Sequence, residues 1–145
     1  MTRVEFHHDL PDKLEYACRL LRKVYRRGEA AQVVAPPAVL QALDAALWSF
    51  STLDFIPHCS PDAPPALRVA SPIVLANDCA GHESTSVLVH LGETVPTGFE
   101  RFERLIELVS QELDDRVQAR LRWRHYADRG YTVKSHHLAN SRDRQ

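Results

Sequence analysis

Short apolar segments alternate along this chain with longer amphipathic ones, and no other feature of the sequence constrains the fold as much. Residues 30–35 form a compact apolar run, which is typical of a strand buried on both faces of a parallel sheet. The preceding residues 13–27 carry apolar side chains at helical spacing, and Gly28 follows as a helix-ending residue. Strands that alternate with helices predict an α/β layer fold with a largely parallel sheet flanked by helices.

The same alternation extends over nearly the whole chain. The predicted strands are residues 4–8, 30–35, 55–59, 72–76, 86–91 and 131–136, and the predicted helices are residues 13–27, 39–50, 99–110 and 113–129. The proline-rich segment 60–71 is expected to be an irregular connection. We therefore expect a single domain, residues 1–138, followed by a polar tail, residues 139–145, that frays.

The charge composition limits the classes of partner. Eighteen basic and nineteen acidic side chains nearly cancel, so no global positive field is available to hold a nucleic-acid backbone. No stretch approaches the roughly 20 apolar residues that span a bilayer, and the first residues do not resemble a signal peptide. We expect a cytoplasmic protein, not bound to membranes, whose contact with DNA is mainly indirect. Direct DNA binding is the alternative, through a basic face of the first helix that consists of Arg19, Arg22, Lys23, Arg26 and Arg27.

Sequence signs of catalysis are weak. The five glycines are dispersed, so the chain lacks the glycine-rich loops that bind nucleotide phosphates. The adjacent histidines His7-His8 and His136-His137 should point to opposite faces of their strands, which disfavours a metal site. Cys59 follows a histidine, but no neighbouring motif would orient or activate its thiol. We expect no catalytic residues, no cofactor and no metal, with a degenerate nucleotide-binding α/β enzyme as the alternative.

The predicted helix 113–129 has a reversed distribution of charge. Arg116, Arg120 and Arg124 lie at positions i, i+4 and i+8 and form a stripe inside an apolar arc. The arc consists of Leu113, Val117 and Leu121 on one side and of Ala119, Trp123, Tyr126 and Ala127 on the other. The solvated face is expected to carry Gln118, Arg122, His125 and Arg129.

Guanidinium groups set into apolar surface need an acceptor, because a partly desolvated and unpaired charge is costly. Two explanations stay open at this point. Carboxylates of the chain itself could pair with the arginines, the candidates being Glu103, Glu107, Glu112 and Asp114. Alternatively, the arginines could clamp the carboxylates of an acidic ligand, in a groove to which Val117 and Trp123 contribute apolar surface.

Several motifs, in this order and spacing, resemble those of one protein family. They are Leu14-Glu15-Tyr16-Ala17-Cys18, Leu43-Asp44-Ala45-Ala46-Leu47-Trp48, Asp54-Phe55-Ile56-Pro57-His58, Phe102-Glu103-Arg104 and Ala119-Arg120-x-Arg122-Trp123-Arg124-x-Tyr126. Over about residues 4–138 the chain resembles the chi subunit family of bacterial DNA polymerase III. This resemblance implies a Rossmann-like accessory protein of the clamp-loader complex without catalytic activity.

The resemblance also implies two binding surfaces. One would bind the acidic C-terminal tail of single-stranded DNA-binding protein. The residues of this chain that match the family's tail-binding positions are Val109, Arg116, Arg120, Trp123 and Arg124. Arg120 is the expected main carboxylate contact, since it lies at the centre of the stripe. The other surface would bind the psi subunit or a repair helicase through Trp48, Phe55, Ile56 and Pro57. Residues 59–65 replace the glycine-rich loop usual in the family, and whether a psi partner exists stays open.

Overall fold

A computed structural model describes residues 1–49, 56–79 and 86–138 of the chain. Its strands are β1 (Arg3–Leu10), β2 (Ala31–Val34), β3 (His58–Cys59), β4 (Ile73–Ala76), β5 (Val87–His90), β6 (Arg104–Ser110) and β7 (Val133–His137). Its helices are α1 (Lys13–Arg26), α2 (Pro37–Ser49), α3 (Pro65–Ala70) and α4 (Leu113–Asp128), with a 3-10 turn at Phe99–Arg101. None of the described helices is long and apolar enough to cross a membrane.

The seven strands form one sheet in the order β3-β4-β2-β5-β6-β1-β7. Every pair of neighbouring strands is parallel. Parallel neighbours need crossover connections, and the helices between successive strands supply most of them. The structure therefore confirms the predicted α/β fold with its parallel sheet.

Residues 99–110 form a 3-10 turn and a strand, so the helix predicted for this segment is wrong. The strand β6 lies between β5 and β1, and Leu105, Ile106 and Leu108 are fully buried within it. A short apolar run of this kind is compatible with a buried strand or a buried helix. An element that is covered on both faces shows no polar face in its sequence, so periodicity does not distinguish the two. Membership of the sheet decides between the two.

The proline-rich segment 60–71 contains the short helix α3, so the prediction of a wholly irregular connection is also wrong. Pro65 occupies the first position of that helix, where the missing backbone N–H costs no hydrogen bond. The strand predicted for residues 55–59 is present only at His58–Cys59, and Phe55 lies outside the described residues. The polar tail 139–145 also lies outside them.

Two apolar cores cover the two faces of the sheet. On one face, α1 and α2 bury Leu21 and Leu43 against strand residues that include Ile106. On the other face, Tyr126 of α4 joins a second core with Phe6 of β1 and Leu105 of β6. Alternate side chains of β6 thus enter opposite cores, as the two-residue period of a strand requires. The second core supports the surface on which the arginine stripe lies.

Candidate functional site: a groove beside helix α4

A groove of about 580 Å³ runs between α4 and strands β1 and β7. Its lining consists of Phe6, His8, Val109, Arg116, Ala119, Arg120, Trp123, Arg124, Ala127, Asp128 and Ser135. All five residues that the sequence assigned to tail binding are among them, whereas Val117, which was expected to add apolar surface to the groove, is not. The structure thus brings the five together on one concave surface.

The floor of this α4 groove is apolar. The indole of Trp123 packs against the ring of Phe6, with 5.1 Å between ring centroids, and the Tyr126 ring lies 6.0 Å from the same phenyl group. Val109, at the end of β6, is 3% exposed and closes the floor from below. Aromatic rings held by a strand of the sheet form a rigid surface, which can accept an apolar side chain with little loss of conformational entropy.

The rim of the groove is cationic. Arg116, Arg120 and Arg124 are all exposed, and none forms an ion pair with a residue in the part of the chain that the structure describes. The described residues therefore do not show the first of the two explanations, in which carboxylates of the chain itself pair with these arginines. Among the residues described by the structure, Asp128 is the one carboxylate on the lining.

Arg122 does not lie on the solvated face, and that prediction is wrong. Its side chain is 2% exposed, its Nε lies 3.1 Å from Glu107 Oε1, and its Nη1 donates to the Glu93 carbonyl at 2.9 Å. Tyr126 donates its hydroxyl to Glu107 Oε2 at 2.5 Å, and His90 Nδ1 lies 2.5 Å from Glu107 Oε1. Burial and the neighbouring Glu107 carboxylate raise the pKa of Tyr126. This buried cluster fixes the rotation of α4 against the sheet.

The start of α4 is held by a second polar contact. Asp115 Oδ2 accepts the backbone N–H of Ser110 at 2.7 Å and the Lys13 ammonium at 2.9 Å. Burial alone would raise the pKa of Asp115, but these two donors outweigh burial and lower it. Because Ser110 ends β6 and Lys13 begins α1, the carboxylate ties the first turn of α4 to both neighbours.

His8, Phe6 and Ser135 line the groove although the sequence analysis did not assign them to it. His8 Nε2 lies 2.6 Å from Ser135 Oγ, across the pair of strands β1 and β7. Burial lowers the pKa of His8, and the positive fields of His137 and Arg116 lower it further. Alternation along β1 could have identified Phe6 and His8, because every second side chain of a strand points to the same face of the sheet. Ser135 could have been identified only from the pairing of β1 with β7.

The paired histidines behave as the strand geometry predicts. His7 bonds to the Tyr16 hydroxyl on the α1 face of the sheet, with 2.5 Å between its Nδ1 and the oxygen, whereas His8 faces the α4 groove. His7 also stacks on His136, at 4.6 Å between centroids. Among the described residues, no group of three His, Cys, Asp or Glu side chains is arranged to hold a metal ion.

The second expected surface is only partly present among the described residues. Trp48, near the end of α2, is 61% exposed, and its ring makes an edge contact with His58 at 5.5 Å between centroids. Pro57 is half-buried. Ile56 is fully buried in the core beneath α1 and α2, so its side chain is not exposed in this structure, and its contact with a partner stays a prediction. Phe55 cannot be placed, because it lies outside the described residues.

Comparison with known proteins shows the family of this chain. The profile of the family described as DNA polymerase III chi subunit, HolC, matches residues 1–134. DNA polymerase III subunit chi of Pseudomonas aeruginosa PAO1 is 34% identical to this chain over 147 aligned positions, which cover 95% of this chain and 98% of that protein. The match extends over the whole sheet except the last residues of β7. The chain belongs to the DNA polymerase III chi subunit family.

Proposed function

We propose that the α4 groove binds the acidic C-terminal tail of single-stranded DNA-binding protein and thereby couples the polymerase machinery to coated single-stranded DNA. One observation carries this proposal: three exposed arginines without carboxylate partners among the described residues surround an apolar floor. An acidic peptide that ends in an apolar residue supplies both missing components, namely carboxylates for the rim and an apolar side chain for the floor.

Arg120 is the residue best placed to bind the terminal carboxylate. It is the middle member of the arginine stripe, between Arg116 and Arg124, and it lines the groove with Trp123. A guanidinium group can donate two parallel hydrogen bonds to one carboxylate, which gives direction as well as charge. Arg116 and Arg124 then attract the acidic side chains that precede the terminal residue.

A second surface around Trp48 is proposed to bind psi or, in its place, a repair helicase. The exposed indole is one of the seven large apolar side chains that are exposed among the described residues. Tryptophan is strongly enriched among the residues that dominate binding energy at protein interfaces. Because Trp48 belongs to α2 and Trp123 to α4, which cover opposite faces of the sheet, one chain could hold both partners at once.

The proposed role is that of a binding subunit and not of an enzyme. His90, Glu107 and Arg122 form a cluster of polar side chains that are at most 3% exposed. A substrate could not reach these groups without unfolding the core. A degenerate nucleotide-binding enzyme is the competing function, and tight binding of a nucleotide in calorimetry would support it.

Tail binding can be tested with two synthetic peptides. Each carries the last ten residues of single-stranded DNA-binding protein; one has a free C-terminal carboxylate and the other an amide. We expect the free acid to bind at least about tenfold more tightly, because a charge-assisted bidentate contact contributes roughly 1.5–3 kcal/mol. Equal affinity of the two peptides, or no binding of either in calorimetry, would contradict the proposal.

A further inference from the structure

The outer face of α4 carries an exposed apolar stripe that the groove does not use. Leu113, Val117 and Leu121 are 69%, 42% and 56% exposed. They lie at i, i+4 and i+8, so they form one ridge about 12 Å long on the side of the helix that faces away from the sheet. Three of the seven exposed large apolar residues in the described part of the chain therefore share one helix face. We call these three residues the outer stripe.

The outer stripe adjoins the arginines of the groove. On a helical projection Arg124 lies between Leu113 and Val117, about 20° from each, and Arg120 lies about 20° beyond Leu113 on the groove side. Both arginines also line the α4 groove. The two surfaces therefore form one continuous strip of apolar and cationic groups that passes over the helix.

The geometry points to a longer ligand: the segment of the acidic peptide that precedes its anchored end crosses α4 and packs apolar side chains on Leu113, Val117 and Leu121. This inference rests on the proposed function, since it extends the ligand already assigned to the groove. Its chemistry is an acidic segment with interspersed apolar residues, whose carboxylates stay near Arg120 and Arg124. Asp114 borders the stripe on the far side and Asp128 lies beyond its C-terminal end, and both repel carboxylates there.

Distance and effective concentration favour this occupant over an independent partner. The helix with its side chains is about 10–12 Å across, which three to four residues of extended peptide can cross. Three side chains on one helix bury far less than the roughly 800 Å² per partner of a standard stable interface. A surface this small contributes to affinity when the same ligand is already held next to it.

A second copy of this chain is a less suitable occupant. In an antiparallel pair of α4 helices about a twofold axis, the same flank of each helix meets its counterpart. If the axis passes Val117, the middle of the stripe, the two Arg120 side chains lie on the same flank, roughly 9 Å apart along the helices. Like charges at close range oppose such a pair.

The inference is tested with peptides of two lengths that share the same free C-terminal end: the last ten and the last twenty-five residues of single-stranded DNA-binding protein. Affinity is measured by fluorescence anisotropy for the parent chain and for the double variant Val117→Gln, Leu121→Gln. Leu67→Gln serves as the matched control, because Leu67 is 48% exposed and lies on α3. Circular dichroism confirms the fold of each variant.

We expect the longer peptide to bind the parent about three- to tenfold more tightly than the shorter one, which corresponds to burial of roughly 25–55 Å² of apolar surface in total. The double variant should lose this advantage and keep the affinity of the short peptide, whereas Leu67→Gln should keep both. Equal affinity of the two peptides for the parent, or an advantage that survives in the double variant, overturns the inference. Concentration-dependent dimers in sedimentation that the double variant abolishes also overturn it, in favour of a second copy. If the short peptide does not bind at all, the proposed function fails instead.

Discussion

Trp123 packs on Phe6 with 5.1 Å between ring centroids, so the indole of α4 is braced by an inner strand of the sheet. This contact makes Trp123 part of a rigid floor, next to the exposed charges of the rim. We expect Trp123→Ala to weaken binding of the tail peptide by roughly tenfold through lost apolar burial. Because burial of apolar surface does not depend on screening, the loss should be the same at about 50 mM and about 300 mM salt. Fluorescence anisotropy at the two salt concentrations measures it.

The matched control for this substitution is Trp48→Ala, since Trp48 is the other tryptophan of the chain and belongs to the opposite face of the sheet. It should leave tail affinity within about twofold, because separated sites usually act independently. It should also reduce the binding of psi or a helicase partner, measured by co-purification. Equal loss of both activities would show that Trp48 supports the fold and not an interface.

Arg122 and Arg120 lie two positions apart on α4 but should differ strongly in their effect on stability. Arg122→Ala leaves the buried Glu107 carboxylate without its cationic partner, and we expect the free energy of unfolding to fall by about 3–5 kcal/mol. Arg120→Ala removes an exposed side chain and should cost less than about 0.5 kcal/mol. Urea denaturation measures both values, and similar values for the two variants would contradict the buried cluster.

Tail affinity should depend on pH through His8. Burial, His137 and Arg116 lower the pKa of His8 below 6.5, whereas Asp9 acts in the opposite direction. The imidazole is therefore neutral at pH 7.5 and gains a proton only as the pH falls below 6.5, which adds a positive charge to the groove. Peptide carboxylates have pKa values near 4 and stay ionised in this range. We expect affinity to rise about two- to threefold between pH 7.5 and 5.5.

The variant His8→Gln isolates this contribution from those of the neighbouring histidines His7 and His137. The rise in affinity towards low pH should be smaller in the variant than in the parent chain. Identical pH profiles of parent and variant in fluorescence anisotropy would show that His8 does not act on the ligand.

The alternation of apolar and amphipathic segments was enough to predict an α/β fold, because it reflects local periodicity. It failed at residues 99–110, where an apolar run suited two structures and only the neighbouring strands decide between them. Helical periodicity also placed the residues of α4 relative to one another, but not relative to the sheet. Glu107 determines that rotation by forming an ion pair with Arg122, and this contact joins β6 to α4. The positions of His8 and Ser135 in the groove also depend on a tertiary contact, namely the pairing of β1 with β7, which local periodicity does not predict.

Tail binding in the α4 groove is tested most directly by the affinity of the tail peptide for Arg120→Ala, measured by fluorescence anisotropy at low and high salt beside the control Arg26→Ala on α1. We expect Arg120→Ala to lose about ten- to a hundredfold in affinity at low salt, and this loss should shrink as salt rises. Arg116→Ala and Arg124→Ala should lose less. Arg26→Ala should bind like the parent chain. If Arg120→Ala also binds the peptide like the parent while its fold is intact, the α4 groove is not the tail site.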